Sequence, residues 1–158
     1  MTTRKIQIER TYPAAPEKIW ELWTTAAGIE AWWAPEGFEV RVDKLDLRPG
    51  GTLTYTMTAI GPEQVAFMEG AGLPLSTVST KTFTTVEPIR HLAYSTLADF
   101  IPGVEPYELL TEVEIRPTTD GGTRVVMTAD AMHDEEWTQR LTAGRANEMD
   151  NLANAVGR

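Results

Sequence analysis

The sequence contains no cysteine, only two histidines and fewer basic than acidic residues. Without cysteine, disulfides, thiolate nucleophiles and zinc–thiolate sites are excluded. With 14 Lys and Arg against 23 Asp and Glu, the formal net charge is −9, which argues against nucleic acid and anionic membrane surfaces as partners. No apolar run reaches the length of a membrane span, and the N-terminus lacks the apolar core of a signal peptide. We therefore expect a cytoplasmic protein without membrane insertion.

Recognisable catalytic motifs are missing as well. The sequence has no phosphate-binding glycine loop, no Gly-x-Ser-x-Gly elbow and no His-Glu-x-x-His pair. Because the two histidines are far apart in the chain, we expect no metal site and no cofactor. A buried carboxylate or imidazole near a strand end could still transfer protons. The candidates for such an acid or base are Asp99, Glu112, Asp130 and His133.

Aromatic residues are concentrated near the N-terminus. Residues 4–12 alternate between apolar and polar and predict a half-buried strand. Pro16 suits the first position of a helix, and Thr25 suits the cap of a second helix. These two short helices carry four of the five tryptophans, so they are expected to close a core or a ligand cavity. The four are Trp20, Trp23, Trp32 and Trp33.

Six further strands and one long helix are predicted after the tryptophan-rich segment. Residues 38–47 and 52–58 alternate strictly and form a hairpin, and strand character returns at 80–87. Two long connections, 61–77 with a short helix and 98–106, interrupt the strand pattern. An antiparallel sheet with one long helix along it is an α+β architecture. The length fits one domain, residues 1–158.

The last helix begins after Asp134, a plausible N-cap, and carries one apolar stripe. Gly144 lies in that stripe and suggests a close approach of the helix to the sheet. Arg145 lies one position round from the stripe, and we expect its guanidinium to stay in water along the helix flank. If it reached a cavity instead, it could hold a carboxylate or a phenolate.

Aromatic and methionine side chains are numerous enough to line a pocket for a small apolar molecule, with the two long connections as lids. A filled core is the alternative interpretation of the same residues. The candidate ligand-binding residues are Trp33, Tyr55, Met57, Phe67, Met68, Phe83, Tyr94, Phe100, Met127, Trp137, Leu141 and Arg145.

Five short motifs lie at residues 15–20, 32–38, 46–51, 86–92 and 132–137. In this order and spacing they resemble the activator-of-Hsp90-ATPase-like (AHSA1-like) branch of the START/Bet v 1-like (SRPBCC) superfamily. The resemblance implies the helix-grip fold, in which a bent antiparallel sheet wraps around a long C-terminal helix and two small helices close one end. It also implies a cavity for lipids, sterols, polyketides or other apolar molecules, which some members cyclise or hydrolyse.

One departure from the family pattern concerns the final helix, where the family usually has Gly-Trp and this sequence has Gly144-Arg145. The change is expected to alter the shape or polarity of the pocket. Full-length Hsp90 activators carry a separate N-terminal domain, which we do not expect in this protein, so we expect no co-chaperone activity.

Three hypotheses follow. The first is binding of a small hydrophobic or amphipathic ligand between sheet and helix. The second is a cyclase or hydrolase acting in the same cavity. The third is an interaction domain that contacts a chaperone or forms a homodimer, which an exposed apolar patch on 61–77 would favour.

Overall fold

The computed structural model describes residues 4–99, 101 and 103–156. Within them, strands and helices follow in the order β1, α1, α2, β2, β3, α3, β4, β5, β6, β7, α4. Their bounds are β1 (Lys5–Tyr12), α1 (Pro16–Thr24), α2 (Ala26–Trp32), β2 (Phe38–Leu45), β3 (Thr52–Ala59), α3 (Pro62–Gly70), β4 (Ser76–Glu87), β5 (His91–Ala98), β6 (Tyr107–Pro117), β7 (Thr123–Asp130) and α4 (Glu135–Val156).

The strands form one antiparallel sheet in the order β1-β7-β6-β5-β4-β3-β2. The pairing register shifts between Val42 and Lys44 in β2 and between Phe83 and Thr85 in β4. Such bulges bend a strand and increase its twist, so they help the sheet to curve around α4. The predicted arrangement, a curved antiparallel sheet around a long C-terminal helix with two short helices after the first strand, is confirmed.

The main core lies between the inner face of the sheet, the C-terminal half of α4 and the two N-terminal helices. Met149 and Leu152 of α4 are fully buried in it. The Tyr12 hydroxyl in β1 donates to the Met149 carbonyl at 2.8 Å, and the Asn151 side chain donates to the Ala34 carbonyl at 3.2 Å. These contacts fix α4 against the edge strand and against the end of α2.

The N-terminal helices form as the sequence predicts. Pro16 occupies the first position of α1, and the Thr25 hydroxyl accepts a hydrogen bond from Gly28 N, which caps α2. The rings of Trp23 and Trp32 are both buried, with centroids 4.8 Å apart. Their area therefore fills the core at this end of the sheet.

Two expectations about the elements require correction. β4 begins at Ser76, not at Thr80, because the β-branched segment 76–80 pairs with β3. A Cβ placed on Gly144 would meet no atom within 4 Å, so α4 does not approach the sheet closely at this glycine.

Among the described residues, no helix is both long enough and apolar enough to cross a membrane.

Candidate functional site: a cavity between the sheet and the C-terminal helix

A cavity of about 740 Å³ lies between the inner face of the sheet and the middle of α4. Its walls come from β3, β4, β5, β6 and α4, and from the α2–β2, β5–β6 and β7–α4 connections. The lining residues include Trp33, Tyr55, Met57, Lys81, Leu97, Leu109, Met132, Leu141, Arg145 and Glu148. The volume falls within the roughly 300–1,000 Å³ typical of ligand pockets.

The strand register explains why a polar row crosses this mostly apolar face. Side chains directly opposite each other in an antiparallel pair share a face. Lys81 of β4 pairs with Thr96 of β5, and Tyr94 of β5 pairs with Thr111 of β6. Two threonines thus occupy inward positions where an all-apolar core would carry aliphatic side chains. Each of them contacts a buried cation.

Lys81 has fewer polar partners than the other buried cation, Arg145. Its side chain is buried, with 5% of the residue exposed. Lys81 Nζ donates to Thr96 Oγ1 at 3.0 Å. The amine lies 5.4 Å from the ring centroid of Tyr94 and 5.9 Å from the rings of Trp33 and Tyr55. Such ring faces stabilise a charged ammonium.

No carboxylate oxygen in the described part of the chain lies within 4.0 Å of the Lys81 amine. Burial, together with the nearby charge of Arg145, lowers the pKa of Lys81 to about 7, while Glu148 opposes this shift. Burial is the largest cause of the lowered pKa, because a charged amine loses its hydration in the interior.

Arg145 is the second cation, and only 8% of it is exposed. Its Nη1 donates to the two carboxylate oxygens of Glu148 at 3.0 and 3.3 Å, and its Nη2 donates to Thr111 Oγ1 at 3.3 Å. Its Nε is buried and has no hydrogen-bond partner among the described residues. Burial lowers the pKa of Arg145, but the raising contacts, the Glu148 carboxylate foremost, outweigh this and raise it. The guanidinium is therefore charged, and the expectation that it stays in water is wrong.

Five of the twelve candidate ligand-binding residues line this cavity: Trp33, Tyr55, Met57, Leu141 and Arg145. Three others, Phe83, Tyr94 and Met127, are buried in the core and do not line it, although the Tyr94 ring faces the Lys81 amine.

The remaining four lie elsewhere. Trp137 packs in a small second cluster with Ile101 and Leu109. Phe67 and Met68 belong to α3 and do not line the cavity, and Phe67 is 69% exposed. Phe100 lies outside the described residues.

The four candidate acids and bases do not converge. Asp99 lines the exposed mouth of the cavity. Glu112 Oε1 lies 3.5 Å from His91 Nε2. The Asp130 carboxylate accepts hydrogen bonds from Lys5 Nζ and Leu110 N. His133 Nδ1 lies 2.8 Å from the Tyr107 hydroxyl. Three of the four are thus engaged outside the cavity, so the geometry assembles no acid–base pair from this set.

The predicted lids contribute little to the cavity wall. From 61–77, only Thr77 lines it, and from the described part of 98–106 only Asp99 does. Gating by these segments stays a prediction.

Sequence reasoning missed Lys81 and Glu148. The alternation of β4 places Lys81 on the same face as Phe83, and Glu148 follows Leu141 and Arg145 at helical spacing of seven and three. Those signals were available in the sequence. What they do not reveal is that both side chains face a cavity rather than solvent.

Comparison with known proteins agrees with this architecture. A curved antiparallel sheet that holds one long C-terminal helix defines the helix-grip class. The chain belongs to the family of activator of Hsp90 ATPase homolog 1-like proteins, whose family model matches residues 13–157. No functionally curated protein is significantly similar to it in sequence.

Solved structures show the same fold at low sequence identity. The AHSA1-like protein from Aeromonas hydrophila is 24% identical, with a TM-score of 0.75 over 98% of this chain and 92% of that chain. The AHSA1 protein from Silicibacter pomeroyi is 18% identical with a TM-score of 0.74, over 98% of both chains. A protein from Arthrobacter aurescens is 20% identical with a TM-score of 0.74, over 97% of this chain and 86% of that one.

Proposed function

We propose that this protein binds one small amphipathic molecule in the cavity between the sheet and α4. The observation that supports the proposal is the cavity itself, about 740 Å³ with a largely aromatic and aliphatic wall. A few polar groups at the buried end of an apolar pocket are the usual arrangement for orienting a ligand. Burial of the apolar part of the ligand would supply most of the affinity, at about 25 cal/mol per Å² of apolar surface removed from water.

Native mass spectrometry and tryptophan fluorescence test the proposal together. Because Trp33 lines the cavity, a ligand should change the emission in a saturable way. A panel of medium-chain alcohols and acids serves as the probe. Saturable binding with a one-to-one mass supports the proposal. No binding by any member of the panel, and no co-purified mass, would contradict it.

Two matched variants show where the probe binds. Gly144 and Gly70 both lie in helices, and a Cβ at either position would meet nothing within 4 Å. Only Gly144 lines the cavity. Gly144→Phe should therefore weaken probe binding by narrowing the cavity, whereas Gly70→Phe should leave it unchanged. Equal effects of the two variants would place the binding site elsewhere.

Self-association is a second candidate function, and exposed apolar side chains between residues 60 and 78 favour it. Ile60, Phe67 and Val78 are each more than half exposed, at 55%, 69% and 64%. Exposed apolar patches often mark interaction sites. Sedimentation velocity over a range of protein concentrations should show dimers that Phe67→Ser weakens. A monomer at all concentrations would remove this candidate.

A further inference from the structure

The buried end of the cavity contains more positive than negative charge. Lys81 and Arg145 each carry one positive charge when protonated, and Glu148 carries one negative charge that Arg145 already binds at 3.0 Å. Asp99 also lines the cavity, but it lies at the exposed mouth. Burial raises the pKa of both neighbouring tyrosines, Tyr55 and Tyr94, so neither supplies a phenolate at neutral pH. When Lys81 is protonated, one formal positive charge at the buried end is therefore uncompensated.

Two buried hydrogen-bond donors are available there. The Lys81 amine has three protons and uses one on Thr96. The Arg145 Nε is buried and has no partner among the described residues. A buried hydrogen-bond donor that lacks an acceptor lowers the stability of the folded protein. Both residues line the same cavity, so a single acceptor group could take hydrogen bonds from them.

We propose that the ligand is an amphipathic monoanion, a carboxylate whose head binds the Lys81 amine with Arg145 as the second donor. Its apolar body lies against Trp33, Met57 and Leu141. The inference rests on the proposed function and names the chemical class of its ligand.

The charge and the walls favour this class over others. A monoanion neutralises the single excess charge, whereas a phosphate dianion would leave a buried negative charge. An uncharged alcohol would leave the lysine charge uncompensated, and an amine would add a third cation. Charge-assisted hydrogen bonds to a buried carboxylate are also stronger than neutral ones.

Isothermal titration with three probes of equal chain length tests the inference: decanoate, 1-decanol and decylammonium. The titrations are run at about pH 6, where the Lys81 amine retains its proton. The wild-type protein should bind decanoate at least about tenfold more tightly than decanol, the size expected of one charge-assisted hydrogen bond. Decylammonium should bind more weakly than decanol.

Three variants assign the preference to Lys81. Lys81→Met removes the charge but keeps an unbranched chain, and it should reduce the preference for decanoate to within about twofold while decanol still binds. Lys81→Arg should retain the preference. Lys44→Met serves as the control, because Lys44 is exposed on β2 and does not line the cavity; it should behave as the wild type does.

The outcomes separate this inference from the proposed function. Equal affinity of the wild type for decanoate and decanol would overturn the inference and leave the proposed ligand binding intact. This comparison uses only the wild-type protein, so it does not depend on the folding of a variant. Retention of the preference in Lys81→Met would overturn the assignment to Lys81. Failure of all three probes to bind would contradict both proposals. Decanol binding and circular dichroism establish that Lys81→Met is folded.

Discussion

The Lys81 ammonium is poorly solvated in the folded protein. Its amine is buried beside Arg145, and three aromatic rings and one threonine hydroxyl replace water around it. In the ligand-free protein this arrangement costs stability, since desolvation of an ammonium is only partly offset by ring faces and one hydrogen bond. The cost makes the residue suited to an anionic ligand.

The free energy of unfolding should therefore depend on pH through Lys81. Its pKa is about 7 in the folded protein against an ordinary value of 10.5. Between these values the unfolded chain binds a proton that the folded protein does not, so stability rises with pH. Relative to Lys81→Met, the wild type should gain about 2 to 3 kcal/mol between pH 7 and pH 9.

Urea denaturation of both proteins without ligand, at several values of pH, measures this difference. The exposed control Lys44→Met should follow the wild type in parallel. If the wild type and Lys81→Met also run parallel, the Lys81 amine has an ordinary pKa.

The Arg145–Glu148 pair should be energetically coupled, because the Arg145 side chain is 9% exposed and that of Glu148 is 17% exposed. Arg145→Met leaves a half-buried carboxylate unpaired, and Glu148→Gln leaves a buried guanidinium without its anion. A double-mutant cycle on the free energy of unfolding should give a coupling of about 1 to 2 kcal/mol.

The same helix offers a matched control for that cycle. Arg140 and Glu136 form an i, i+4 pair with side chains 59% and 70% exposed. Water screens such a pair, so its coupling should be below about 0.5 kcal/mol. Similar coupling in both cycles would mean that burial does not strengthen the Arg145–Glu148 contact.

Two helical glycines should respond oppositely to alanine. A Cβ on Gly28 would lie 2.5 Å from the Glu21 carbonyl oxygen and 2.7 Å from Leu22 Cα, since α2 packs directly onto α1. Gly28→Ala should destabilise the protein by about 1 to 3 kcal/mol. A Cβ on Gly144 would meet nothing within 4 Å, so Gly144→Ala should stabilise α4 by about 0.5 to 1 kcal/mol.

Thermal and urea unfolding of the two glycine variants check this pair of predictions. A destabilised Gly144→Ala would show that α4 needs a glycine at this position for a contact made in solution. A neutral Gly28→Ala would mean that α1 and α2 can separate at little cost.

The helices and most strands follow from local patterns. Period-two alternation predicts β2 and β3, and Pro16, Thr25 and Asp134 mark helix starts where the structure has them. The sequence does not predict the start of β4, because the segment before Thr80 resembles a connector. Pairing with β3 makes it a strand, through contacts such as Thr58 Oγ1 to Ser76 Oγ at 2.8 Å.

The candidate site was less predictable than the elements. Residue type and position in the strand or helix repeat predict four of the lining residues: Trp33, Tyr55, Met57 and Leu141. Phe67 is a candidate by residue type alone, and in α3 its side chain is exposed. An aromatic side chain in an insertion has no strand or helix phase relative to the sheet, so its direction is not readable from the sequence.

The net charge of −9 opposes the approach of an anionic ligand. Its effect is long-range and is screened by salt, whereas the buried contacts at Lys81 are screened much less. The association rate of decanoate should therefore rise by about twofold or more between about 10 mM and 150 mM salt. The rate for decanol should not change.

Stopped-flow tryptophan fluorescence measures both association rates. A decanoate rate that falls with added salt would mean that the local cations, not the net charge, govern the approach. That result would still agree with Lys81 as the binding residue, and it would revise only the account of the long-range field.

The order of the elements and the family could be read from the sequence, because both depend on local periodicity and short motifs. That Lys81 and Arg145 share one cavity is visible only in the folded protein. Lys81 reaches Thr96 on the neighbouring strand, and Arg145 reaches Thr111, 34 positions earlier in the chain. Those contacts depend on strand register and on where α4 lies across the sheet. Burial and charge pairing arise only when the sheet and α4 pack together, so no local sequence pattern specifies them.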